Sequence, residues 1–308
     1  MLQGKKIIVV IPSYNVEKQI FSTIKGVPDF VDYIIVVDDC SMDQTVQKVS
    51  EISDDRIVLV KNIKNLGVGG ATIEGFIKGL ELGGEIFVKF DGDGQMDPNK
   101  MEELIQPLFE FADYAKGNRF LYTSQLQKMP RIRLVGNFLL TFLTKLASGY
   151  WKIFDPQNGY IAITREFLEK INLDNLHKRY FFENDMLINL NIIGARIHDI
   201  SMPAIYGNEK SSLKIRKILF SFPWLLIGRF LNRIYKKYVL TDFSVIGFFY
   251  FCGLFLIGFG ACFGAYHWFF SIYSNIPATT GTVMISVLPI ILGFQLFLQA
   301  IVIELNEK

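Results

Sequence analysis

The feature that most constrains the fold is a long uncharged stretch near the C-terminus. No Asp, Glu, Lys or Arg occurs from Phe243 to Ile303 in this chain of 308 residues. A membrane-spanning helix needs about 20 mostly apolar residues, so the stretch accommodates two spans, which we place at about 243–268 and 282–303. The alternative is a buried helical hairpin in a water-soluble core, although soluble proteins rarely leave two such lengths without charge. The sequence therefore predicts a transmembrane helical hairpin.

Basic residues lie on one side of this hairpin. Arg229, Arg233, Lys236 and Lys237 precede the first span, whereas the segment between the spans has no Lys or Arg. Cytoplasmic loops carry the excess of Lys and Arg, so we expect a multi-pass protein of the cell (inner) membrane with both termini in the cytoplasm. The apolar run near the N-terminus is too short for a secretory signal peptide, so we expect the N-terminal part to stay cytoplasmic as well.

Composition excludes several classes of protein. The chain is 50% hydrophobic and 20% charged, with a net charge of +2. Intrinsic disorder requires low hydrophobicity and high net charge, and a nucleic-acid-binding domain is usually strongly basic. The three cysteines form no disulfide framework, and the three histidines are scattered without the spacing of zinc ligands.

Residues 213–240 separate the hairpin from the rest of the chain. Apolar and basic residues alternate there at helical spacing, and Pro223 is expected to start or kink a second helix. Basic amphipathic helices with Trp and Phe tend to lie in the membrane interface, and a solvated helix is the plainer alternative. We expect a cytoplasmic domain over residues 1–212, interfacial helices over 213–240 and the hairpin over 241–308.

Residues 1–212 show strand-like runs that alternate with helical segments. The predicted strands are Ile7–Ile11, Tyr33–Val37, Ile57–Val60 and Ile86–Phe90, and the predicted helices are Val16–Gly26, Thr45–Ser53, Gly70–Leu82 and Pro98–Phe111. Such alternation indicates βαβ units and therefore an α/β domain with a mostly parallel sheet. Ligands of these sheets bind at the carboxyl ends of the strands, where polar residues follow all four predicted strands. No dinucleotide-binding GxGxxG follows the first strand, and no GxxxxGK[ST] phosphate loop occurs.

The segment Asp91-Gly92-Asp93 follows the fourth predicted strand. Two carboxylates two residues apart can share a divalent cation, because Mg²⁺ and Mn²⁺ prefer oxygen ligands and keep positions for a substrate's phosphates. Gln95 adds a neutral oxygen. The sequence thus predicts a Mg²⁺ or Mn²⁺ site formed by Asp91, Asp93 and Gln95.

An ordered set of motifs resembles that of family 2 glycosyltransferases of the GT-A fold, close to bacterial polyprenyl-phosphate glycosyltransferases and dolichol-phosphate mannose synthases. The matching segments are Pro12-Ser13-Tyr14-Asn15, Val37-Asp38-Asp39-Cys40-Ser41, Asn65-Leu66-Gly67, Asp91-Gly92-Asp93, Gly117-Asn118-Arg119, Asp155 to Gly159 and Tyr206 to Lys210. The resemblance covers residues 5–215. It implies a GT-A, Rossmann-like catalytic domain.

The resemblance also implies which residues bind the donor. Pro12 and Tyr14 would line the nucleotide base, with Asp39 on the base or ribose. Arg119 and Lys210 would meet phosphate groups, unless they are ordinary surface cations. The implied nucleotide-sugar site comprises Pro12, Tyr14, Glu17, Val37, Asp39, Asp91, Gly92, Asp93, Arg119 and Lys210. The mannose synthases have Glu directly after the Asn of their first motif, where this chain has Val16. UDP- and GDP-linked sugars therefore both remain candidates.

Phe182-Glu183-Asn184-Asp185 resembles the acidic motif that many inverting GT-A enzymes use for acceptor activation. The implied catalytic residues are Asp93, Asp185 and Arg119. A hydroxyl acceptor needs a general base, whereas a polyprenyl phosphate is already anionic, so Asp185 would then orient groups without removing a proton. The alternative for Asp185 is an acid that stabilises a helix N-terminus.

Basic residues precede the apolar segment Leu134–Tyr150, in the region where the related enzymes hold a mobile acceptor loop. Arg131 and Arg133 would attract a lipid phosphate through charge-assisted hydrogen bonds, and Lys210 adds basic character towards the membrane. A solvated loop tip is the alternative.

The combined features predict a metal-dependent, membrane-anchored, inverting glycosyltransferase. It would move a sugar from a nucleotide sugar to a polyprenyl phosphate of the undecaprenyl type, for a cell envelope glycan. Three alternatives stay open: a family 2 enzyme acting on a lipid-linked glycan or peptidic hydroxyl, a non-catalytic sugar-nucleotide-binding membrane partner, and a small channel or scaffold. A homo-oligomer, a tetramer among the options, is compatible with the membrane helices.

Overall fold

The computed structural model describes residues 1–119, 131–202, 215–241 and 243–306. It divides the chain into two compact units, Met1–Arg229 and Phe230–Lys308. Every strand that the described residues form lies in the first unit.

The first unit is built on one sheet. Its strands are β1 Ile7–Ser13, β2 Tyr33–Asp38, β3 Ile57–Lys61, β4 Ile86–Lys89, β5 Tyr114–Asn118, β6 Ile161–Thr164 and β7 Ile197–Ser201. Their order is β3-β2-β1-β4-β6-β5-β7. Strand β6 runs antiparallel to its neighbours β4 and β5, and the other pairs are parallel. The mostly parallel sheet predicted from the sequence is confirmed.

Helices cover both faces of this sheet. They are α1 Ile20–Lys25, α2 Thr45–Ser50, α3 Val68–Glu81, α4 Met101–Ile105, α5 Arg131–Ser148, α6 Arg165–Lys170 and α7 Phe182–Ile192. A further helix, α8 Ile215–Tyr235, includes the last residues of this unit and the first residues of the second. Alternate residues of a strand point to opposite faces, and two apolar cores result. One contains Val9, Val36 and Val88 with residues of α1, α2 and α4. The other contains Val10 and Phe87 with residues of α3 and α7.

Two predicted helices differ from the observed ones for local reasons. Helix α1 begins only at Ile20, and residues 17–19 before it form a turn. The backbone N–H groups of Val16 and Glu17 donate to the side chains of Thr45 and Asp43, which hold this segment against the loop after β2. The predicted helix over 98–111 is broken into a 3₁₀ turn, the short helix α4 and a second 3₁₀ turn, Gln106–Phe109. Pro107 has no N–H to continue an α-helix.

Of the two expectations for Pro223, the start of a second helix is wrong, and a kink stays a prediction. Helix α8 contains Pro223 within it, and a π-helical turn, Lys236–Thr241, follows. Proline removes one backbone hydrogen bond of a helix, and here the helix continues past that loss.

The second unit contains two long helices, α9 Val245–Ser274 and α10 Thr280–Asn306. Both are long and apolar enough to cross a membrane. They pack closely at small residues: an added Cβ at Gly260 would lie 2.5 Å from the Ser286 carbonyl oxygen, and one at Gly253 would lie 2.8 Å from that of Gly293. Small residues that let helix backbones approach are typical of membrane helix pairs.

A buried ion pair joins elements of this second unit. The Arg233 guanidinium contacts the Glu304 carboxylate, which also accepts hydrogen bonds from the hydroxyls of Tyr238 and Tyr250, each at 2.8 Å. All four residues are buried. A buried charge is tolerated when it is paired and hydrogen-bonded, so these contacts explain how the apolar helix α10 accommodates Glu304.

Candidate active site at the carboxyl edge of the sheet

Several of the predicted donor-site residues lie at the same edge of the sheet. In the parallel pair of β1 and β2, Pro12 lies opposite Val37 and Ser13 lies opposite Asp38. Strand β4 is the other neighbour of β1, and Asp91 follows it by two residues. Parallel strands that end at one level bring their following loops together, which explains the convergence of motifs far apart in the sequence.

The loops after β1 and β2 are tied to each other. Asn15, with φ of +53°, accepts a hydrogen bond at its Oδ1 from the Met42 N–H at 2.9 Å. The Glu17 carboxylate accepts one from the Gln44 N–H at 3.0 Å. Tyr14, directly before Asn15, has about half its surface exposed, at 47%. The Glu17 carboxylate thus supports a loop, and the Tyr14 ring remains accessible to a ligand.

Asp39 organises the loop after β3. Its buried carboxylate accepts hydrogen bonds from the Leu66 N–H at 2.8 Å, the Gly67 N–H at 2.7 Å and the Asn62 side-chain amide at 2.8 Å. Gly67 has φ of +88°, and a Cβ there would come within 2.8 Å of the Lys178 carbonyl oxygen. The motif Asn65-Leu66-Gly67 is therefore held against the end of β2.

Asp38 differs from Asp39 in its contacts. It is also buried, and its Oδ2 accepts a hydrogen bond from the Ser41 N–H at 3.3 Å. Its Oδ1 has no hydrogen-bond partner among the described residues. Buried polar atoms are normally satisfied, so Asp38 offers an unused acceptor at the edge of the sheet.

The Asp91-Gly92-Asp93 motif lies where the sequence predicts. Asp91 is partly exposed, and Asp93 Oδ1 accepts a hydrogen bond from the Gln95 N–H at 3.0 Å. No group of three or more His, Cys, Asp or Glu side chains is arranged to hold a metal within the described ranges. Two carboxylates nevertheless suit Mg²⁺ or Mn²⁺, which take one or two protein carboxylates and complete their coordination with substrate phosphates and water. The donor set therefore fits a divalent cation bound together with a nucleotide.

Lys89, the last residue of β4, is a feature that the sequence prediction missed. Its buried ammonium donates to Asp91 Oδ1 at 2.6 Å and to the Gly159 carbonyl oxygen at 3.3 Å, and it lies 3.3 Å from Glu183 Oε1. Burial lowers the pKa of Lys89, but the two carboxylates outweigh that effect and hold the pKa above its usual value. A lysine in an otherwise apolar strand was the available signal, since a buried lysine is almost always paired.

Glu183 and Asp185 occupy different surroundings near the start of α7. Burial raises the pKa of Glu183, and the Lys89 ammonium opposes that rise. Asp185 is fully buried, and its Oδ2 accepts hydrogen bonds from Arg229 Nη2 at 2.7 Å and the His177 N–H at 2.8 Å. Burial likewise raises the pKa of Asp185, against the effect of the Arg229 charge. Of these two acids, Glu183 is therefore the one that is linked to Asp91, through the Lys89 ammonium between them.

Arg119 follows β5 and is held by Asp155. Two parallel hydrogen bonds join Arg119 Nε to Asp155 Oδ2 at 2.6 Å and Arg119 Nη2 to Asp155 Oδ1 at 2.8 Å. Burial raises the pKa of Asp155, but Arg119 has the larger combined effect and the pKa falls below its ordinary value. The Arg119 side chain stays 41% exposed. The guanidinium is thus oriented and still accessible to an anion.

A second buried lysine supports this arrangement. Lys116 donates hydrogen bonds to the carbonyl oxygens of Phe154 and Asp155, each at 2.7 Å, and lies 3.7 Å from the Asp199 carboxylate. Burial lowers the pKa of Lys116. The sequence analysis did not single out Lys116 or Asp199, because their strands are short and carry polar residues.

Three predicted acceptor residues are not tested by this geometry. Lys210 lies outside the described residues. Arg131 and Arg133 belong to the first turn of α5, and their side chains lie outside the part that the structure describes.

Comparisons with known proteins agree with this architecture. The family model "Glycosyl transferase family 2" matches residues 8–172. A UDP-N-acetylglucosamine–dolichyl-phosphate N-acetylglucosaminyltransferase of Methanococcus voltae is 32% identical over 72% of this chain and 94% of its own length. The polyprenol monophosphomannose synthase of Mycolicibacterium smegmatis is 32% identical over 59% of this chain and 71% of its own.

Solved structures share the fold of the first unit. Glucosyl-3-phosphoglycerate synthase from Mycobacterium tuberculosis, in complex with Mn²⁺, UDP and phosphoglyceric acid, aligns with a TM-score of 0.57 and 22% identity. The alignment covers 75% of this chain and 78% of that one. At this identity the likeness shows the fold alone.

Proposed function

Since this chain belongs to glycosyl transferase family 2, we propose that it moves a sugar from a UDP- or GDP-linked donor to a polyprenyl phosphate of the undecaprenyl type. One observation carries the proposal: acidic residues meet at the carboxyl edge of a GT-A sheet in a chain that also has two membrane-length helices. The names of two relatives contain dolichyl phosphate and polyprenol, which belong to the same lipid class.

The donor nucleotide binds across the ends of β1 and β2. Pro12, Tyr14 and Val37 flank its base, and Asp39 contacts the base or ribose while it holds the loop after β3. Asp38, with its unused buried oxygen, is a further candidate for a ribose hydroxyl. Gly92 lets the loop after β4 pack closely against the end of β1, because a Cβ there would lie 2.9 Å from Ser13 Oγ.

The diphosphate lies beside Asp91 and Asp93. These carboxylates hold Mg²⁺ or Mn²⁺, with Gln95 as a further oxygen ligand, and the bound cation would supply stabilisation of the negative charge on the leaving diphosphate. Arg119, oriented by Asp155, and Lys210 bind phosphate oxygens. Arginine binds phosphate through two parallel hydrogen bonds more readily than lysine does.

The acceptor is a phosphate that needs no deprotonation. Its oxygen attacks the anomeric carbon from the face opposite the diphosphate, a carbon–oxygen bond forms, and the bond to the diphosphate breaks with inversion. The contacts of Asp185 support this choice, because a carboxylate bonded to Arg229 and to the His177 N–H is poorly placed to remove a proton. Asp185 orients α7 in this scheme, and Arg131, Arg133 and Lys210 attract the lipid phosphate.

The membrane arrangement follows from the charge layout. Residues 1–212 form the catalytic domain at the cytoplasmic face of the cell membrane, residues 213–240 lie in the interface, and residues 241–308 form the hairpin. Basic residues before α9 favour the cytoplasmic side.

An acceptor assay tests this proposal. The purified full chain in detergent is incubated with undecaprenyl phosphate, Mg²⁺ or Mn²⁺, and a panel of radiolabelled UDP- and GDP-sugars. We expect label from at least one donor to enter the lipid phase. Failure of every donor, together with transfer to a free or lipid-linked oligosaccharide, would contradict the phosphate acceptor and support a hydroxyl acceptor.

A further inference from the structure

Three charged side chains form a buried row beside the donor site. The Lys89 ammonium lies between Asp91 Oδ1 at 2.6 Å and Glu183 Oε1 at 3.3 Å. Lys89 and Glu183 are almost fully buried, whereas a quarter of the Asp91 side chain, 26%, is exposed. Asp91 is therefore the member of the row that a ligand can reach.

The position of this row is set by three separate elements. Lys89 and Asp91 come from the end of β4, and Glu183 comes from the first turn of α7. Gly159 closes the row, because a Cβ there would lie 2.5 Å from Lys89 Nζ and 2.9 Å from Asp91 Oδ2. A glycine at 159 thus permits the contact between the ammonium and Asp91.

Charge explains why Glu183 is needed. A lysine 2.6 Å from Asp91 would by itself cancel the negative charge that a divalent cation requires. Glu183 supplies a second negative charge to the same ammonium, so the row of three retains one net negative charge. In a buried site such charges are weakly screened, so the charges of Lys89 and Glu183 both act on the exposed carboxylate of Asp91.

We propose that Glu183 and Lys89 are positioning residues that form a charge-balanced support for Asp91. Lys89 fixes the orientation of Asp91, and Glu183 offsets the charge of Lys89 so that Asp91 keeps its affinity for a divalent cation with a nucleoside diphosphate. This inference rests on the proposed function, because it assigns Asp91 to the donor's cation. It gives Glu183 a role that the sequence analysis did not assign.

Manganese binding tests the charge balance directly. The full chain in detergent is titrated with Mn²⁺ in the presence of UDP, and in parallel GDP, while the electron paramagnetic resonance signal of free Mn²⁺ is followed. Glu183→Gln leaves the row with no net charge, so we expect its Mn²⁺ affinity to fall about 10- to 100-fold, as for other residues that support metal ligands. Glu183→Asp keeps the charge and should bind within about threefold of the unmodified chain.

The double variant Lys89→Met/Glu183→Gln gives the decisive comparison. It removes both buried charges and restores one net negative charge at Asp91, so its affinity should recover most of the loss seen in Glu183→Gln. Affinity equal to the unmodified chain in Glu183→Gln would overturn the inference, as would a double variant that binds no better than Glu183→Gln. The comparison does not need the single variant Lys89→Met. That variant leaves two carboxylates unpaired, so it is the one most at risk of misfolding.

A matched control uses an exposed pair of the same chemistry. Lys170 and Glu166 lie 2.6 Å apart on α6, and Lys170→Met and Glu166→Gln should leave Mn²⁺ binding unchanged. The unmodified chain separates the two proposals. If it transfers sugar but binds no Mn²⁺ with either nucleotide, the cation role and this inference are both wrong. If it binds Mn²⁺ and Glu183→Gln does not differ, only the inference is wrong.

Discussion

At the scale of single residues, the carboxylates at the sheet edge differ in how far the protein itself engages their oxygens. Asp39 accepts hydrogen bonds from the N–H groups of residues 66 and 67, and Asp185 is bound by Arg229. Asp91 remains partly exposed at the edge of the sheet. Burial and hydrogen bonding therefore distinguish acids that the sequence motifs alone do not.

The first prediction at this scale concerns Asp93. Asp93→Ala should reduce sugar transfer at least about 100-fold, because loss of a carboxylate that binds the cation removes stabilisation of the leaving diphosphate. Initial rates with and without a chelator check this. Transfer that is unchanged both by the substitution and by the chelator would remove the metal from the account.

The second prediction concerns Asp185. Asp185→Asn should retain transfer to undecaprenyl phosphate within about tenfold, because an anionic acceptor needs no general base, whereas loss of a true base costs about 10²- to 10⁴-fold. The kcat at saturating acceptor is the quantity to measure. A loss of about 1000-fold with a correctly folded variant would indicate proton removal and a hydroxyl acceptor.

At the scale of elements, the sequence predicted those parts whose patterns are strong. Strands β1 to β4 were recognised because their runs of apolar residues pack into both cores, although β3, at the edge of the sheet, is only partly buried. Strands β5 and β7 were not, since Lys116, Asn118 and Asp199 interrupt them with polar residues. These polar residues are paired with groups that are distant in the sequence, and a local sequence pattern does not show such pairs.

The same limit applies to the site. The resemblance named Asp91 and Asp93, and spacing alone placed them after a strand. It could not show that Lys89 and Glu183 flank Asp91, because Glu183 is distant in sequence and its contact depends on how α7 packs on β4. The contact between Arg119 and Asp155 was not predicted for the same reason, although both residues belong to recognised motifs.

The third prediction belongs to the helix pair α9 and α10. Gly260→Ala should lower the stability of the chain by about 1–3 kcal/mol, because the new Cβ would lie 2.5 Å from the Ser286 carbonyl oxygen. Thermal unfolding in detergent measures this loss. Gly258→Ala is the matched control, since a Cβ there meets no atom within 4 Å. Equal melting temperatures for the two variants would contradict the close packing.

At the scale of the whole molecule, one chain combines a GT-A domain with two helices of membrane length. Average composition conceals this, because a net charge of +2 and 50% hydrophobic residues describe neither part. The proposed activity explains why the chain has these two different parts, because one substrate is a soluble nucleotide sugar and the other is a lipid. An enzyme that joins them benefits from being held where the lipid phosphate lies.

The fourth prediction is the orientation in the membrane. In a variant whose three cysteines are replaced by serine, Ala278→Cys between α9 and α10 should react with a membrane-impermeant maleimide in intact cells. Met42→Cys, at a position that is 90% exposed, should react only after the membrane is permeabilised. The positive-inside rule gives this pattern, and the reverse pattern of labelling would contradict a cytoplasmic catalytic domain.

The account's central claim is that the acceptor is a lipid phosphate, and the most direct measurement compares undecaprenyl phosphate with undecaprenol. Both are offered to the purified chain with the donor that supports transfer, and labelled lipid product is quantified over time. We expect product from the phosphate and at least about 100-fold less from the alcohol, since the alcohol requires a general base and the predicted candidate, Asp185, is bound by Arg229. Equal transfer to both lipids, or transfer to the alcohol alone, would contradict the account.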